Sequence, residues 1–372
     1  MDIQVARFRE VLALLKPVVP RKTALPVLTN FMLKDGYVVG TDLETIVQIP
    51  VPEVDIACLI PYTDVTKMLQ YTPGGELLHI EPKKGKVRMS WSEGSSTFEA
   101  GDVKDFPPMP EIEAVAEASL NGDILLPAML SVLGYTAKDD ARPVLGGVTL
   151  VMGDPMRIAA GDGARMAYQD LSLSFPQDNT VIVPAGSVTA LYHLWQKTPR
   201  TPPPSDELIP VIMAKKQVTV AFDGQRGLRF DFGGVAIAIV KLIEGSPPDW
   251  LKLIPKKAPI LQVQFWAPEL EVAVRRALPV AEQGKGILRM VFDASTVTIS
   301  AKHDGREVES KIETFTTKGK PAKVALSAAY LLNYLVGKDG IVTIAITDPE
   351  SPVILKHQKN PNVIIMPMHA AW

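Results

Sequence analysis

Leu25-Pro26-Val27-Leu28, followed within a hairpin's length by Gly40-Thr41-Asp42-Leu43, is a phrase the chain states again as Arg142-Pro143-Val144-Leu145 and Gly161-Asp162-Gly163. The spacing is 117 positions from Pro26 to Pro143 and 120 from Asp42 to Asp162. A worn third copy, Ile287-Leu288-Arg289-Met290 leading to His303-Asp304-Gly305, stands about one repeat further on. A repeat of this period predicts three similar domains in tandem. The proline pairs Pro107-Pro108 and Pro247-Pro248 stop strands near the ends of the first two copies. Domains of residues 1–120, 121–254 and 255–372 follow.

Each copy reads as helix, hairpin, second helix and further strands, an α+β unit. Val5, Phe8, Leu12 and Leu15 recur at helical period in the first opening helix. Leu126, Met129, Leu130 and Leu133 do so in the second, and Leu270, Val274 and Leu278 in the third. Asp35-Gly36 between two apolar runs is a hairpin turn. Pro61 and Pro184 are placed to open the second helices at their first turn, and Ser327 to cap the last. The segment from Pro199 to Pro204 reads as an exposed extended loop. Val363-Ile364-Ile365 reads as a buried edge strand, and Met366-Pro367-Met368 as the border of an adaptable apolar groove.

Composition narrows the function. The 372 residues are 47% hydrophobic and 22% charged, which fits packed domains rather than disorder. No apolar run is long enough to span a bilayer, and Met1–Arg7 lacks the pattern of a secretory signal. Cys58 is the only cysteine, so an internal disulfide is excluded, and a cytoplasmic protein is expected. The five histidines are scattered, and no metal or cofactor is expected.

No nucleophile elbow, zinc-protease or phosphate-loop motif occurs. Gly161-Asp162-Gly163 can be read as a phosphate loop or catalytic aspartate. The turn reading is better, because Asp42 and Asp304 stand at equivalent places and a catalyst is seldom triplicated. Asp139-Asp140 reads as a solvated helix end rather than an acid–base pair. A net charge of −2 argues against ordinary nucleic-acid binding, although Arg7, Arg9, Lys67, Lys338 and other helix-borne bases would make a phosphate-facing track if they lined one surface.

Six stretches in order along the chain resemble the bacterial DNA sliding clamp, the beta subunit of DNA polymerase III. They are Thr23–Asn30, Gly40–Glu44, Gly161–Ala167, Val181–Pro184, Lys241–Trp250 and Val363–Met368. The resemblance implies a non-catalytic protein, a head-to-tail homodimer closing into a ring around duplex DNA, with helices lining the hole and sheets outside. It implies tethering of a replicative polymerase, a clamp loader and other proteins with short hydrophobic motifs. By motif position the partner-peptide groove uses Leu145, Gly163, Arg165, Met166, Pro248, Leu253, Tyr330, Ile365, Met366, Pro367 and Met368. The DNA-facing set is Arg21, Lys22, Arg142, Lys197, Arg275, Arg276 and Lys285. A clamp-like scaffold that binds partners without being loaded is the alternative. Trp372, beyond the motif, lies either over the groove or in solvent.

Overall fold

The computed structural model describes residues 1–139, 141–200, 216–358 and 361–372. Most of the proline-rich loop and Asp140 of the acidic pair therefore lie outside the described residues. The chain divides into two compact units. One comprises Met1–Leu130, Gly147–Met156 and Leu171–Gly245, the other Ser131–Gly146, Arg157–Asp170 and Ser246–Trp372.

In the first unit an antiparallel sheet runs in the order Cys58–Pro61, Asn30–Lys34, Tyr37–Thr41, Thr45–Pro50, Ile237–Lys241, Gly227–Asp231, Gln217–Phe222, Ala116–Asn121. A second sheet of Asp2–Gln4, Leu77–Lys83, Lys86–Trp91 and Gly94–Glu99 ends on Gly94–Glu99. Asp35 and Gly36, at φ 49° and 80°, make the predicted hairpin turn. Helix Val5–Leu15 buries Val5, Phe8, Val11, Leu12, Leu14 and Leu15, and packs on the strands and on helix Tyr62–Tyr71. Phe8 is wholly buried, edge-on to Phe31. Burying such a side chain contributes roughly 2–3 kcal/mol.

In the second unit seven strands run in the order Arg157–Gly161, Arg165–Asp170, Asn362–Ile365, Val353–His357, Ile341–Ile346, Leu261–Trp266, Thr316–Gly319. A four-stranded sheet, Arg306–Glu313, Thr296–His303, Ile287–Phe292 and Ala322–Ser327, ends on Arg306–Glu313. Helix Ala267–Glu282 packs on three of these strands and on helix Ala328–Leu335. Ser327 caps the latter, its Oγ accepting from Tyr330 N at 3.3 Å.

Three expectations need correction. Asn362–Ile365 is an interior strand, paired with Arg165–Asp170 on one side and Val353–His357 on the other. Its unbroken apolar run is what a strand covered on both faces requires. In helix Gly122–Leu133 the buried stripe is Leu125, Leu126, Ala128, Met129 and Val132, while Leu130 and Leu133 are half-buried. That helix is apolar nearly all round, so periodicity leaves its inward face open. Pro61 and Pro184 sit at the N-cap, one residue before the helices.

Three second helices end on a borrowed cation. Arg9 donates to Leu69 O and Thr72 O. Lys216 donates to Trp195 O at 3.0 Å, and Lys338 to Tyr334 O. Unpaired carbonyls and the negative end of the helix dipole favour a positive charge there. Burial lowers the pKa of Lys216 and Lys338. Arg9 and Lys338 are thus engaged with carbonyls, and Arg7 with Glu53 at 2.5 Å.

Candidate partner groove

The turn joining Arg157–Gly161 to Arg165–Asp170 is organised by Asp162. Its Oδ1 accepts from Ala164 N and Arg165 N, each at 3.0 Å, and its own N–H donates to Arg165 O at 3.1 Å. Asp42 builds the same turn, Oδ1 accepting from Glu44 N at 3.0 Å and Thr45 N at 2.7 Å. Both carboxylates therefore serve their turns. Asp304 keeps the position but not the chemistry, itself standing at φ 43° in a hairpin between Thr296–His303 and Arg306–Glu313. Gly163 has φ +96°, and a Cβ there would lie 2.3 Å from Arg142 Nη1.

Arg165 is held on every side. Nε donates to Asp162 Oδ2 at 3.0 Å, Nη1 to Asn333 Oδ1 at 2.8 Å and Nη2 to Gly134 O at 3.0 Å. Its Cζ lies 5.0 Å from the Tyr135 ring centroid and 4.5 Å from that of Tyr330. The side chain is only 9% exposed. Its donors point into the protein, so it braces the wall of the expected groove. Burial pushes the Tyr135 phenol up to about 12 against the opposing pull of Arg165. The Tyr330 phenol is raised by burial and then by the Asp162 carboxylate.

Beneath the expected groove lies a buried apolar cluster, its floor, of Ala137, Leu145, Ala159, Met166, Trp250 and Ile364, with Val144, Tyr168, Ile254 and Ile354 packed around it. Trp250 lies against Gly161, where a Cβ would meet its ring at 2.9 Å. Ile364 faces Met166, and Ile365 faces both Arg165 and Val353. Beyond the strand, Met366 N donates to Ala164 O at 2.9 Å and Met368 N to Ala325 O at 2.8 Å. The Met366 side chain is left exposed, with Pro367 and Met368 half-buried.

All eleven predicted groove residues fall in this one unit. Leu145, Gly163, Arg165, Met166, Tyr330 and Ile365 to Met368 surround the turn and the C-terminal strand. Pro248 is half-buried, accepting from Trp250 N at 2.9 Å. Leu253 is 44% exposed and outside the floor, where Ile254 packs instead. Trp250 and Tyr135 were not predicted. Trp250 closes the stretch Lys241–Trp250, so a large aromatic after a double proline was its signal. Tyr135 had none beyond its hydrophobicity. Trp372 does not cover the floor: Arg289 Nε donates to Ala371 O at 2.9 Å, and Lys323 Nζ is 5.6 Å from the Trp372 ring.

The basic residues expected to face DNA are all exposed, Arg21, Lys22 and Lys197 in the first unit and Arg142, Arg275, Arg276 and Lys285 in the second. On helix Ala267–Glu282, Arg275 and Arg276 lie off the buried stripe of Leu270, Ala273, Val274, Ala277, Val280 and Ala281. Arg275 is committed to Glu271, Nη2 to Oε1 at 2.7 Å. Arg142 Nη2 donates to Asp162 O at 2.8 Å. Lys22, Lys197, Arg276 and Lys285 form no ion pair among the described residues. No group of His, Cys, Asp or Glu there could hold a metal ion, and no helix there is long and apolar enough to cross a membrane.

Residues 252–369 match the family model for the C-terminal domain of the DNA polymerase III beta subunit. A beta sliding clamp of Pseudomonas putida is 25% identical over 376 residues, covering 96% of this chain and 97% of its own. The solved DNA polymerase III subunit beta of Pseudomonas aeruginosa shares the fold, with a TM-score of 0.86 at 22% identity over 100% of both chains. Another structure of that organism's sliding clamp, bound to griselimycin, has a TM-score of 0.84 at 22% identity, covering 100% of this chain and 99% of its own. The C-terminal part of this chain thus matches the DNA polymerase III beta subunit model, and over its whole length the chain is similar to bacterial beta sliding clamps and shares the fold of their solved structures.

Proposed function

We propose that the chain is a processivity clamp that encircles duplex DNA as a head-to-tail homodimer, each protomer supplying three domains of residues 1–120, 121–254 and 255–372. Its groove tethers the replicative polymerase, the clamp loader and other proteins carrying short hydrophobic motifs. The observation that carries this is the buried apolar cluster of Met166, Trp250 and Ile364 beside an exposed Met366. An exposed, adaptable methionine beside a buried apolar cluster suits several peptides of one type.

Two sheet ends support the dimer. Gly94–Glu99 ends one sheet and Arg306–Glu313 ends another, each leaving one side without a strand partner among the described residues. Pairing one chain's first edge with another chain's second satisfies both, and a head-to-tail dimer uses that pairing twice. Encirclement needs no tight DNA contact, which is compatible with a net charge of −2. The bases lining the hole are then a loose, sequence-blind set.

The test is primer extension on a long circular template with a cognate polymerase and loader. The clamp reading expects longer products, lost in the Met366→Ala Pro367→Ala variant while that variant sediments as a dimer. A protein that binds polymerase through the groove yet leaves product length unchanged is a scaffold instead.

A further inference from the structure

The first unit carries an apolar pocket of about 320 Å³, lined among others by Leu43, Ile46, Pro107, Pro108, Ile112 and Ile239. It follows the groove's plan register for register. Ile239 faces Ile46 across two antiparallel strands, as Ile364 faces Met166. Lys241 N donates to Glu44 O at 2.8 Å, as Met366 N donates to Ala164 O at 2.9 Å. Asp42 turns the chain as Asp162 does. Pro107-Pro108 stands at the pocket as Pro247-Pro248 stands before Trp250.

We infer that this pocket is a second docking site, for a short extended peptide of a partner protein with one apolar anchor side chain flanked by lysine or arginine. The inference goes beyond the clamp reading and needs neither ring closure nor DNA.

Two differences from the groove define the ligand. Leu43 occupies the place of Gly163 at φ +80°, a conformation that L side chains rarely adopt, and it is 46% exposed. A leucine kept there offers an apolar lip that a glycine lacks. Charge is the second difference. Glu44 stands where the groove has Ala164, and Glu111 and Asp223 also line the pocket. Against them stand Lys241 and Arg226, the latter already paired with Glu244 at 3.2 Å. Glu44 forms no ion pair among the described residues, and its carboxyl is raised by burial and by the charge of Asp42. A cation on the ligand relieves that charge. The volume is at the small end for ligand pockets, which fits one anchor side chain rather than a folded partner.

The test is methyl NMR on the full-length protein labelled at isoleucine δ1 methyls, with Ile46, Ile112 and Ile239 assigned by single Ile→Val exchanges. The probes are the peptides acetyl-Lys-Leu-Phe-Lys-amide and acetyl-Gln-Leu-Phe-Gln-amide. The basic peptide is expected to shift these three methyls saturably, and to do so equally in the Met366→Ala Pro367→Ala variant. The glutamine peptide is expected to bind about three- to fivefold more weakly, the size of one exposed charge pair. Leu43→Asp with Glu44→Lys, both at exposed positions, should remove the shifts while leaving groove methyls such as Ile364 responsive. Three results overturn the inference: still methyls at millimolar peptide, unchanged binding to the Leu43→Asp Glu44→Lys variant, or shifts that follow protein concentration without peptide, the mark of a second copy in the pocket.

Discussion

Arg165 Nε lies 3.0 Å from Asp162 Oδ2, and the two side chains are 9% and 15% exposed. Removing one partner of a buried pair leaves the other charge unmatched, at a cost of about 3–5 kcal/mol. Arg165→Ala also strips Asn333 and Gly134 of their donors and empties the space between Tyr135 and Tyr330. We expect a stability loss of about 3 kcal/mol or more by chemical denaturation. Asp162→Asn keeps an oxygen for the turn and should cost less. Equal losses would mean that the ion pair itself, and not the turn or the other contacts of Arg165, holds this wall.

Gly163→Ala meets two obstacles, φ +96° and Arg142 Nη1 at 2.3 Å. The left-handed conformation alone costs an L residue about 1–2 kcal/mol. Adding Arg142→Ala removes the clash but not the strain, so the double variant should recover part of the stability. If it recovers nothing, Arg142 had room to move and only the dihedral matters.

Cys58 is buried, which pushes its thiol from 9.0 up to about 11. Folding favours the neutral thiol, so its contribution is full below pH 9 and is lost as pH rises from 9 towards 11. A rise from 9.0 to about 11 corresponds to at most roughly 3 kcal/mol. Unfolding free energies measured at about pH 8 and about pH 10.5 should therefore differ less in Cys58→Ala than in the parent. A native thiol that reacts quickly with a disulfide reagent at the lower pH would contradict its burial.

Arg275 and Arg276 are neighbours with different duties. Arg275 is paired with Glu271 at 2.7 Å, whereas Arg276 forms no ion pair among the described residues. Each base that no longer neutralises a phosphate lowers the slope of log affinity against log salt by about 0.9. Arg276→Ala should reduce that slope on short duplex DNA more than Arg275→Ala does. The reverse order would place the DNA path elsewhere on this helix.

Features set by a few adjacent residues were legible in the chain. The Asp35-Gly36 turn, the Ser327 cap and the buried Val5, Phe8, Leu12 and Leu15 stripe all stand as read. The expected groove residues came from motif order rather than from periodicity, since an apolar cluster assembled from residues as distant as Leu145, Trp250 and Ile364 has no local signature. The interior place of Asn362–Ile365 was missed because an apolar run shows that both faces are covered, not how many neighbours a strand has. Motif position sets Arg165 in the groove but not its bracing role, because its partners Asn333, Gly134 and Tyr330 come from distant turns and helices.

The central claim is topological: the protein stays on DNA because it surrounds it. Fluorescent protein placed by a loader on nicked circular DNA, with the circle then cut at a single site, tests this directly. The account predicts long residence on the circle and rapid release once it is linear, with salt having little effect before the cut. Equal release rates from circular and linear DNA would contradict it.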